Sequence, residues 1–196
     1  ALACEVDVRD QASIQKCIDA TVAKFGGIDI LINNASAISL TDTIDTDMKK
    51  YDLMHSINTR GTFLFTKLCL PHLRESARRG CNPHVLMNSP PLAMQPQYFT
   101  GHVAYTMAKV GMSMCVLGMA EEFNEHGIAV NALWPLTGIW TAASDAFIGG
   151  GGKGCRYTDI MVDAAERMLA KPSQSYSGNF EIDEVLLRRE GVTDFD

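Results

Sequence analysis

Short apolar runs that alternate with helical patterns constrain the fold of this chain most. Residues 28–33, 85–89 and 128–134 form three such runs, of the kind found in parallel strands that are covered on both faces. The segments between them carry apolar residues at helical spacing. This alternation predicts βαβ units and therefore an α/β fold, with a parallel sheet flanked by helices.

The remaining elements follow from the same patterns. Two further strands are predicted at residues 4–8 and 179–183. Helices are predicted between Asp10 and Gly26 and over residues 46–56, 58–78, 103–126 and 159–170. The glycine run at 149–152 is expected to be a mobile loop tip, and the residues after Asp183 a surface tail. No linker or repeat interrupts the pattern, so residues 1–196 are predicted to be a single domain.

Charge and cysteine usage narrow the function classes. The chain has 17 basic and 23 acidic residues, a net charge of −6, and no basic cluster, which argues against nucleic acid and anionic membranes as partners. No apolar run reaches the roughly 18 residues of a membrane span. The six cysteines form no C-x-x-C pair, so we expect buried thiols in a reducing compartment and no metal site.

Tyr105 and Lys109 stand four residues apart on a predicted helix, so their side chains share one face. A nearby ammonium favours the phenolate, so Lys109 is expected to lower the pKa of Tyr105. Tyr105 is then a candidate general acid and base for a carbonyl or alcohol. For this motif taken alone, a solvated tyrosine and lysine remain the more frequent alternative.

Other polar residues follow the strands in a definite order. Asn33 ends the run at 28–33 and Ala35 follows it, Ser89 ends the run at 85–89, and Asn58 stands at the start of a predicted helix. Ligands of open α/β sheets bind beyond the carboxyl ends of the strands, where these residues would lie. Each also has an ordinary structural interpretation, as a turn residue or as a helix N-cap.

Taken together, this order resembles the short-chain dehydrogenase/reductase family, whose fold is Rossmann-like. The resemblance covers nearly the whole chain. It implies a catalytic set and a group of cofactor-binding residues. The catalytic set is Asn58, Ser89, Tyr105 and Lys109; the cofactor-binding residues are Asp7, Asn33, Ala35, Tyr105, Lys109, Pro135 and Thr141.

The activity implied by the resemblance is hydride transfer between NAD or NADP and a carbonyl or alcohol. Tyr105 would exchange the proton, Ser89 would orient the substrate oxygen, and Lys109 would bind the nicotinamide ribose. Asn58 would hold a water that connects Lys109 to solvent. Apolar residues near the expected pocket favour a lipophilic substrate of steroid or fatty-acyl type, although they could equally be core or lid residues. They are Leu92, Met94, Phe99, Trp140 and Phe147.

The resemblance also implies elements that would precede residue 1. The family's glycine-rich phosphate turn, its first two strands and the residue that selects NAD or NADP all lie there. We therefore expect residues 4–8 to lack a neighbouring strand, residues 28–33 to form an exposed edge, and the chain alone to fold poorly and be nearly inactive.

A non-catalytic binding or dimerisation module is the alternative function. Small residues on the Tyr105 helix would suit close approach of a partner helix in a homo-oligomer. They are Ala104, Ala108, Gly111, Ser113 and Gly118. The two prolines after Ser89 narrow the resemblance to a subgroup whose members are assigned to peroxisomes or mitochondria, although the chain shows no targeting signal and would otherwise be cytoplasmic.

Overall fold

A parallel sheet carries the fold in the computed structural model, which describes residues 1–142, 144–145 and 152–195. The four named strands lie in the order β1-β2-β3-β4 and all pair in parallel. They are β1 (Ile30–Asn33), β2 (His84–Asn88), β3 (Ala129–Trp134) and β4 (Phe180–Ile182). The predicted α/β architecture, a Rossmann-like parallel sheet with flanking helices, is confirmed.

Six α-helices are named along the described chain. They are α1 (Gln11–Phe25), α2 (Met48–Met54), α3 (Thr62–Arg78), α4 (Val103–Asn124), α5 (Asp159–Leu169) and α6 (Asp183–Arg189). The first of them shows how local sequence sets a boundary. The Asp10 carboxylate accepts hydrogen bonds from the backbone N–H groups of Ala12 and Ser13, and Gly26 ends α1 in the left-handed conformation.

Apolar residues of β2 face both sides of the sheet, which explains its continuous apolar run. Val85 and Met87 pack in the larger cluster with residues of α1, α3 and α4. Leu86 packs in a second cluster with Leu133 of β3 and with residues of α5 and α6. Helices therefore cover both faces of the central strands, as a parallel sheet requires.

The strand predicted at residues 4–8 is not formed. These residues are irregular, and the segment is attached by side chains: the Asp7 N–H donates to Ser13 Oγ at 2.9 Å, and Arg60 donates to the Arg9 carbonyl at 2.8 Å. A strand needs a neighbour to satisfy its backbone groups, and the described residues place none beside this segment. The expected edge is confirmed, because Ile30 and Ile32 of β1 are 44% and 53% exposed.

The helix predicted to start at residue 58 starts earlier. A π-helical turn, His55–Gly61, joins α2 directly to α3, so Asn58 lies inside a helical segment and is not an N-cap. The helix α3 then continues past Pro71 to Arg78. Single π-turns within helices are often associated with functional sites, and this one packs against α4.

The prediction that the residues after Asp183 form a surface tail is wrong. Residues of this segment form α6, in which Leu186 and Leu187 are buried in the second cluster. The two leucines lie on the helix face that packs against the sheet. The charged residues around them suggested a solvated tail, but their apolar neighbours bury enough surface to fix a helix.

The helix α4 is apolar and long, and it is the only described helix with the length and composition of a membrane span. Half of its most apolar window is buried inside the fold, which is typical of a core helix. Among the described residues no cluster of metal-ligating side chains occurs. All six cysteines are free, but the prediction that they are buried is wrong for most of them: only Cys69 is buried, and Cys4 and Cys81 are exposed. Phe147 and residues 149–151 lie outside the described residues.

Candidate active site

A cavity of about 590 Å³ opens beyond the carboxyl ends of β2 and β3. Tyr105 and Lys109 of α4 both line it, together with Trp134, the last residue of β3, and Pro135, which follows it. The two members of the predicted motif therefore face one space, at the edge of the sheet where ligands of this fold class bind.

Tyr105 is partly buried in this cavity wall. Burial raises the pKa of its phenol to about 12, which is opposite to the direction expected from the sequence. The physical reason is that loss of water disfavours the phenolate, and the Lys109 ammonium does not offset this loss. Without a ligand, the phenol is fully protonated at neutral pH.

Lys109 is almost fully buried, at 3% exposure. Its ammonium donates to the carbonyl oxygen of Asn88 at 2.6 Å and lies 5.1 Å from the centre of the Trp134 ring. Burial lowers the pKa of this lysine to about 8, because the charged form loses its hydration. The carbonyl at the end of β2 thus fixes the position of the ammonium at the cavity.

Ser89 follows β2 and is completely buried. Its hydroxyl has no hydrogen-bond partner among the described residues. The neighbouring Pro90 lines the cavity and its carbonyl accepts from Ser113 of α4 at 2.6 Å, whereas Ser89 is not part of the lining. A buried hydroxyl without a partner is costly, so it is available to a ligand that reaches it.

Asn58 is also fully buried, and its amide is occupied by one loop residue. The amide oxygen accepts from the Ala37 N–H at 2.7 Å, and the amide nitrogen donates to the Ala37 carbonyl at 2.9 Å. The adjacent Thr59 donates to the Ala108 carbonyl at 2.9 Å, which links the π-turn to α4 beside Lys109. The side chain of Asn58 therefore holds the loop after β1 in place.

A second hollow, of about 70 Å³, lies at the end of β1. Asn33 and Ala35 line this hollow rather than the cavity of Tyr105, Lys109 and Pro135, and Val8 is part of its wall. The Asn33 amide donates to Thr66 Oγ1 at 3.0 Å, which orients the end of the strand. Asp7 points elsewhere: its carboxylate pairs with Arg9, and this hydrogen bond lowers its pKa to about 2.

The last two predicted cofactor residues differ in position. Pro135 lines the large cavity, whereas Thr141 is exposed and does not. The backbone N–H of Thr141 donates to Ser144 Oγ at 2.7 Å, so the threonine starts a local turn. The structure brings together Tyr105, Lys109 and Pro135 and leaves Thr141 apart.

The apolar wall of the cavity is made by residues other than those predicted. Leu92, Met94, Phe99 and Trp140 do not line it. The prediction followed closeness in the chain, while loops that fold back supply the actual lining. Apolar lining residues include Ile38, Leu40, Pro91, Ala93, Leu136 and Ile182.

Comparison with known proteins agrees with this geometry. The profile of a family described as Enoyl-(Acyl carrier protein) reductase matches residues 1–154. The chain belongs to the short-chain dehydrogenase/reductase family. Hydroxysteroid dehydrogenase-like protein 2 from Danio rerio is 58% identical over all of this chain and 46% of its own length, and the Homo sapiens protein of that name is 54% identical over the same shares.

Solved structures of this dehydrogenase/reductase family share the fold. A crystal structure assigned as a dehydrogenase from Xanthomonas campestris is 44% identical, with a TM-score of 0.92, over 98% of this chain and 70% of that chain. A short chain dehydrogenase from Mycobacterium thermoresistibile is 41% identical, with a TM-score of 0.88, over 97% and 68%. The chain spans about half the length of the curated relatives it matches.

Three residues of this short-chain dehydrogenase/reductase site escaped the sequence analysis. The Asn88 carbonyl holds Lys109, and Ala37 holds Asn58, but both act through the backbone, which carries no sequence signal. The third is His102, which lines the cavity three residues before Tyr105. A polar side chain three residues before Tyr105 is a signal that the sequence does contain.

Proposed function

We propose that this domain transfers hydride between a nicotinamide cofactor and a carbonyl or alcohol on a lipophilic molecule of steroid or fatty-acyl type. The observation that carries the proposal is the placement of Tyr105 and Lys109 on one turn of α4, facing a mostly apolar cavity. Family membership supports the oxidoreductase class and the nicotinamide cofactor.

The described residues fit such a cofactor. Lys109 supplies a buried ammonium, and Asn33 and Ala35 line a hollow at the same sheet edge. In this proposal Lys109 holds the ribose, and Asn33, Ala35 and Pro135 bound the site. The bound nicotinamide supplies or accepts the hydride.

The side chains then divide the proton chemistry. The Tyr105 phenol, whose pKa is about 12, donates its proton to the carbonyl oxygen during reduction. The Ser89 hydroxyl donates a hydrogen bond to the same oxygen, which stabilises the negative charge that develops there. Asn58 positions the loop beside Lys109, and the water relay expected through it remains a prediction.

The alternative, a binding or dimerisation module, receives less support from the small residues of α4. Ala104 and Ala108 are buried in this chain beside Met54, and a side chain at Gly111 would meet Thr59 Oγ1 at 2.6 Å. Their small size is therefore used for packing inside the chain. Only Gly118 of the predicted set has open space around it.

Turnover by the full-length protein tests the proposal. NADH and NADPH oxidation would be followed with a series of steroid ketones and long-chain aldehydes. We expect Tyr105→Phe to lower kcat by about 10²- to 10⁴-fold, with cofactor affinity changed less than threefold. The matched control is Tyr157→Phe, which removes the same hydroxyl from an exposed tyrosine. Unchanged turnover in Tyr105→Phe, or no turnover of any carbonyl, would refute the proposal.

Location in peroxisomes or mitochondria is a separate prediction, which comes from the resemblance to the family.

A further inference from the structure

His102 provides a polar group in the wall of the large cavity. It is the residue immediately before α4 and lines the same space as Tyr105, three residues later. Because both side chains line one cavity, one small molecule can contact both. Most of the surrounding wall is apolar, which makes a polar atom there significant.

The hydrogen bonds around His102 determine which of its ring nitrogens carries the proton. Thr106 Oγ1 lies 2.9 Å from the carbonyl oxygen of Tyr98 and 2.7 Å from Nδ1 of His102. A carbonyl oxygen can only accept, so the single hydroxyl proton of Thr106 is donated to Tyr98. Nδ1 of His102 must then be the donor to Thr106, which assigns the proton of the neutral ring to Nδ1.

Nε2 of His102 is left as a hydrogen-bond acceptor. The hydrogen bond of the ring within the described part of the chain is the one at Nδ1, and none is formed at Nε2. An acceptor that loses water when a ligand fills an apolar cavity pays a desolvation cost unless the ligand donates to it. Ligands that carry a donor at this point are therefore favoured over ligands that carry a methyl group there.

We propose that His102 is a specificity-determining residue that accepts a hydrogen bond, through Nε2, from a second polar group of the substrate. That group is a hydroxyl or N–H on the part of the molecule that faces His102 while the carbonyl or alcohol faces Tyr105. The preferred substrate is therefore a bifunctional lipophilic molecule, such as a hydroxyketone or a diol. This inference rests on the proposed function, because it uses Tyr105 as the reacting end of the cavity.

Two substitutions of His102 distinguish the role of Nδ1 from that of Nε2. His102→Asn places an amide group near the position of Nδ1, so it can keep the bond to Thr106 but has no acceptor at the position of Nε2. His102→Gln reaches the position of Nε2 with its amide oxygen but gives up the bond to Thr106. Loss of specificity in the first variant and its retention in the second would assign recognition to Nε2.

Binding to the full-length protein is measured with 4-(hydroxymethyl)cyclohexanone and its matched methyl counterpart, 4-ethylcyclohexanone. Trp134 lines the cavity, so tryptophan fluorescence reports binding without turnover. We expect the hydroxyl compound to bind about five- to tenfold more tightly to the wild type and to His102→Gln. The two ketones should bind equally to His102→Asn.

The same preference in His102→Asn, or none in the wild type, would overturn the inference. A third probe, the anion 4-oxocyclohexanecarboxylate, tests whether Nε2 of His102 carries a proton instead of accepting one. Tighter binding of this anion than of the hydroxyl compound would also overturn the assignment of Nε2 as an acceptor. Turnover of both ketones is followed separately. Failure of turnover with retained discrimination in binding would refute the proposed function and leave the assignment of His102 intact.

Discussion

The ammonium of Lys109 lies 2.6 Å from the carbonyl oxygen of Asn88, at the carboxyl end of β2. This bond joins the strand to α4 and fixes a charged group in a place with almost no water, since Lys109 is 3% exposed. The charge is therefore held in position at a cost to folding. Active sites often carry such costs, because a buried charge interacts strongly with a ligand.

The cost should be visible in the pH dependence of stability. The pKa of Lys109 is about 8 in the folded chain, below its ordinary value of 10.5. Between these values the unfolded state binds more protons, so stability rises with pH from about 8 to about 10.5. The shift corresponds to about 3 kcal/mol. We expect Lys109→Met to be more stable than the wild type at pH 7, with the difference shrinking towards pH 10.

Guanidinium unfolding at pH 7, 8.5 and 10 measures this difference directly. Lys67→Met is the matched control, because Lys67 is an exposed lysine of α3 and its removal should give no such pH dependence. A stability difference for Lys109→Met that stays constant from pH 7 to 10 would contradict the prediction. So would a variant that is less stable at every pH.

Asn58 should be irreplaceable even by an isosteric residue. Its amide both accepts from and donates to the backbone of Ala37, at 2.7 and 2.9 Å. In Asn58→Asp the donor is lost and a carboxylate oxygen faces the Ala37 carbonyl, so we expect the free energy of unfolding to fall by about 2–4 kcal/mol.

Amide hydrogen exchange locates the effect of this substitution. The Ala37 N–H keeps an acceptor in Asn58→Asp, but its protection should still drop, because repulsion between the carboxylate and the Ala37 carbonyl favours opening of the loop. The same substitution at the exposed Asn124 should change stability by less than about 0.5 kcal/mol. Comparable losses at both asparagines would mean that the pair with Ala37 contributes nothing specific.

The sequence predicts the part of the fold that depends on local periodicity. Residues 85–89 and 128–134 are apolar because Leu86 and Leu133 face one helical layer while Val85 and Val130 face the other. The spacing of Tyr105 and Lys109 likewise places them in one cavity, because helix geometry is local.

The rest depends on which distant groups meet. The sequence predicts a lowered pKa for Tyr105 from the nearest charge in the chain, but Lys109 is engaged by a carbonyl from another element and burial decides the direction. Residues 4–8 have the composition of a strand, but none of the strands in the described part of the chain lies beside them. A local sequence pattern predicts neither the raised pKa of Tyr105 nor the irregular structure of residues 4–8, because both depend on groups far away in the sequence.

Asp183 ties the start of α6 to the cavity wall. Its carboxylate Oδ1 accepts from the Leu136 N–H at 2.9 Å, and the side chain is completely buried. In Asp183→Ala this N–H loses its partner, so we expect stability to fall by about 1–3 kcal/mol and the KM of the full-length protein to rise. Asp183→Asn keeps a carbonyl oxygen for the same bond and should lose less.

Denaturant unfolding and steady-state kinetics test this pair of variants together. Asp163→Ala, at an exposed aspartate of α5, is the control and should resemble the wild type in both measurements. Equal losses in Asp183→Ala and Asp183→Asn would show that the negative charge matters and not the acceptor. An unchanged KM in Asp183→Ala would show that the bond between α6 and the cavity wall does not affect substrate binding.

The exposed edge of the sheet gives a last prediction for residues 1–196. Ile32 of β1 is 53% exposed while its neighbour Leu31 is 8% exposed, so the two residues report on the open and the covered face. We expect Ile32→Lys to change the free energy of unfolding by less than about 1 kcal/mol and to reduce self-association, because a lysine discourages edge pairing. Leu31→Lys should cost about 3 kcal/mol or more, since it buries a charge without a partner. Unfolding and sedimentation velocity distinguish the cases: a large loss of stability in Ile32→Lys would mean that this edge is covered in solution.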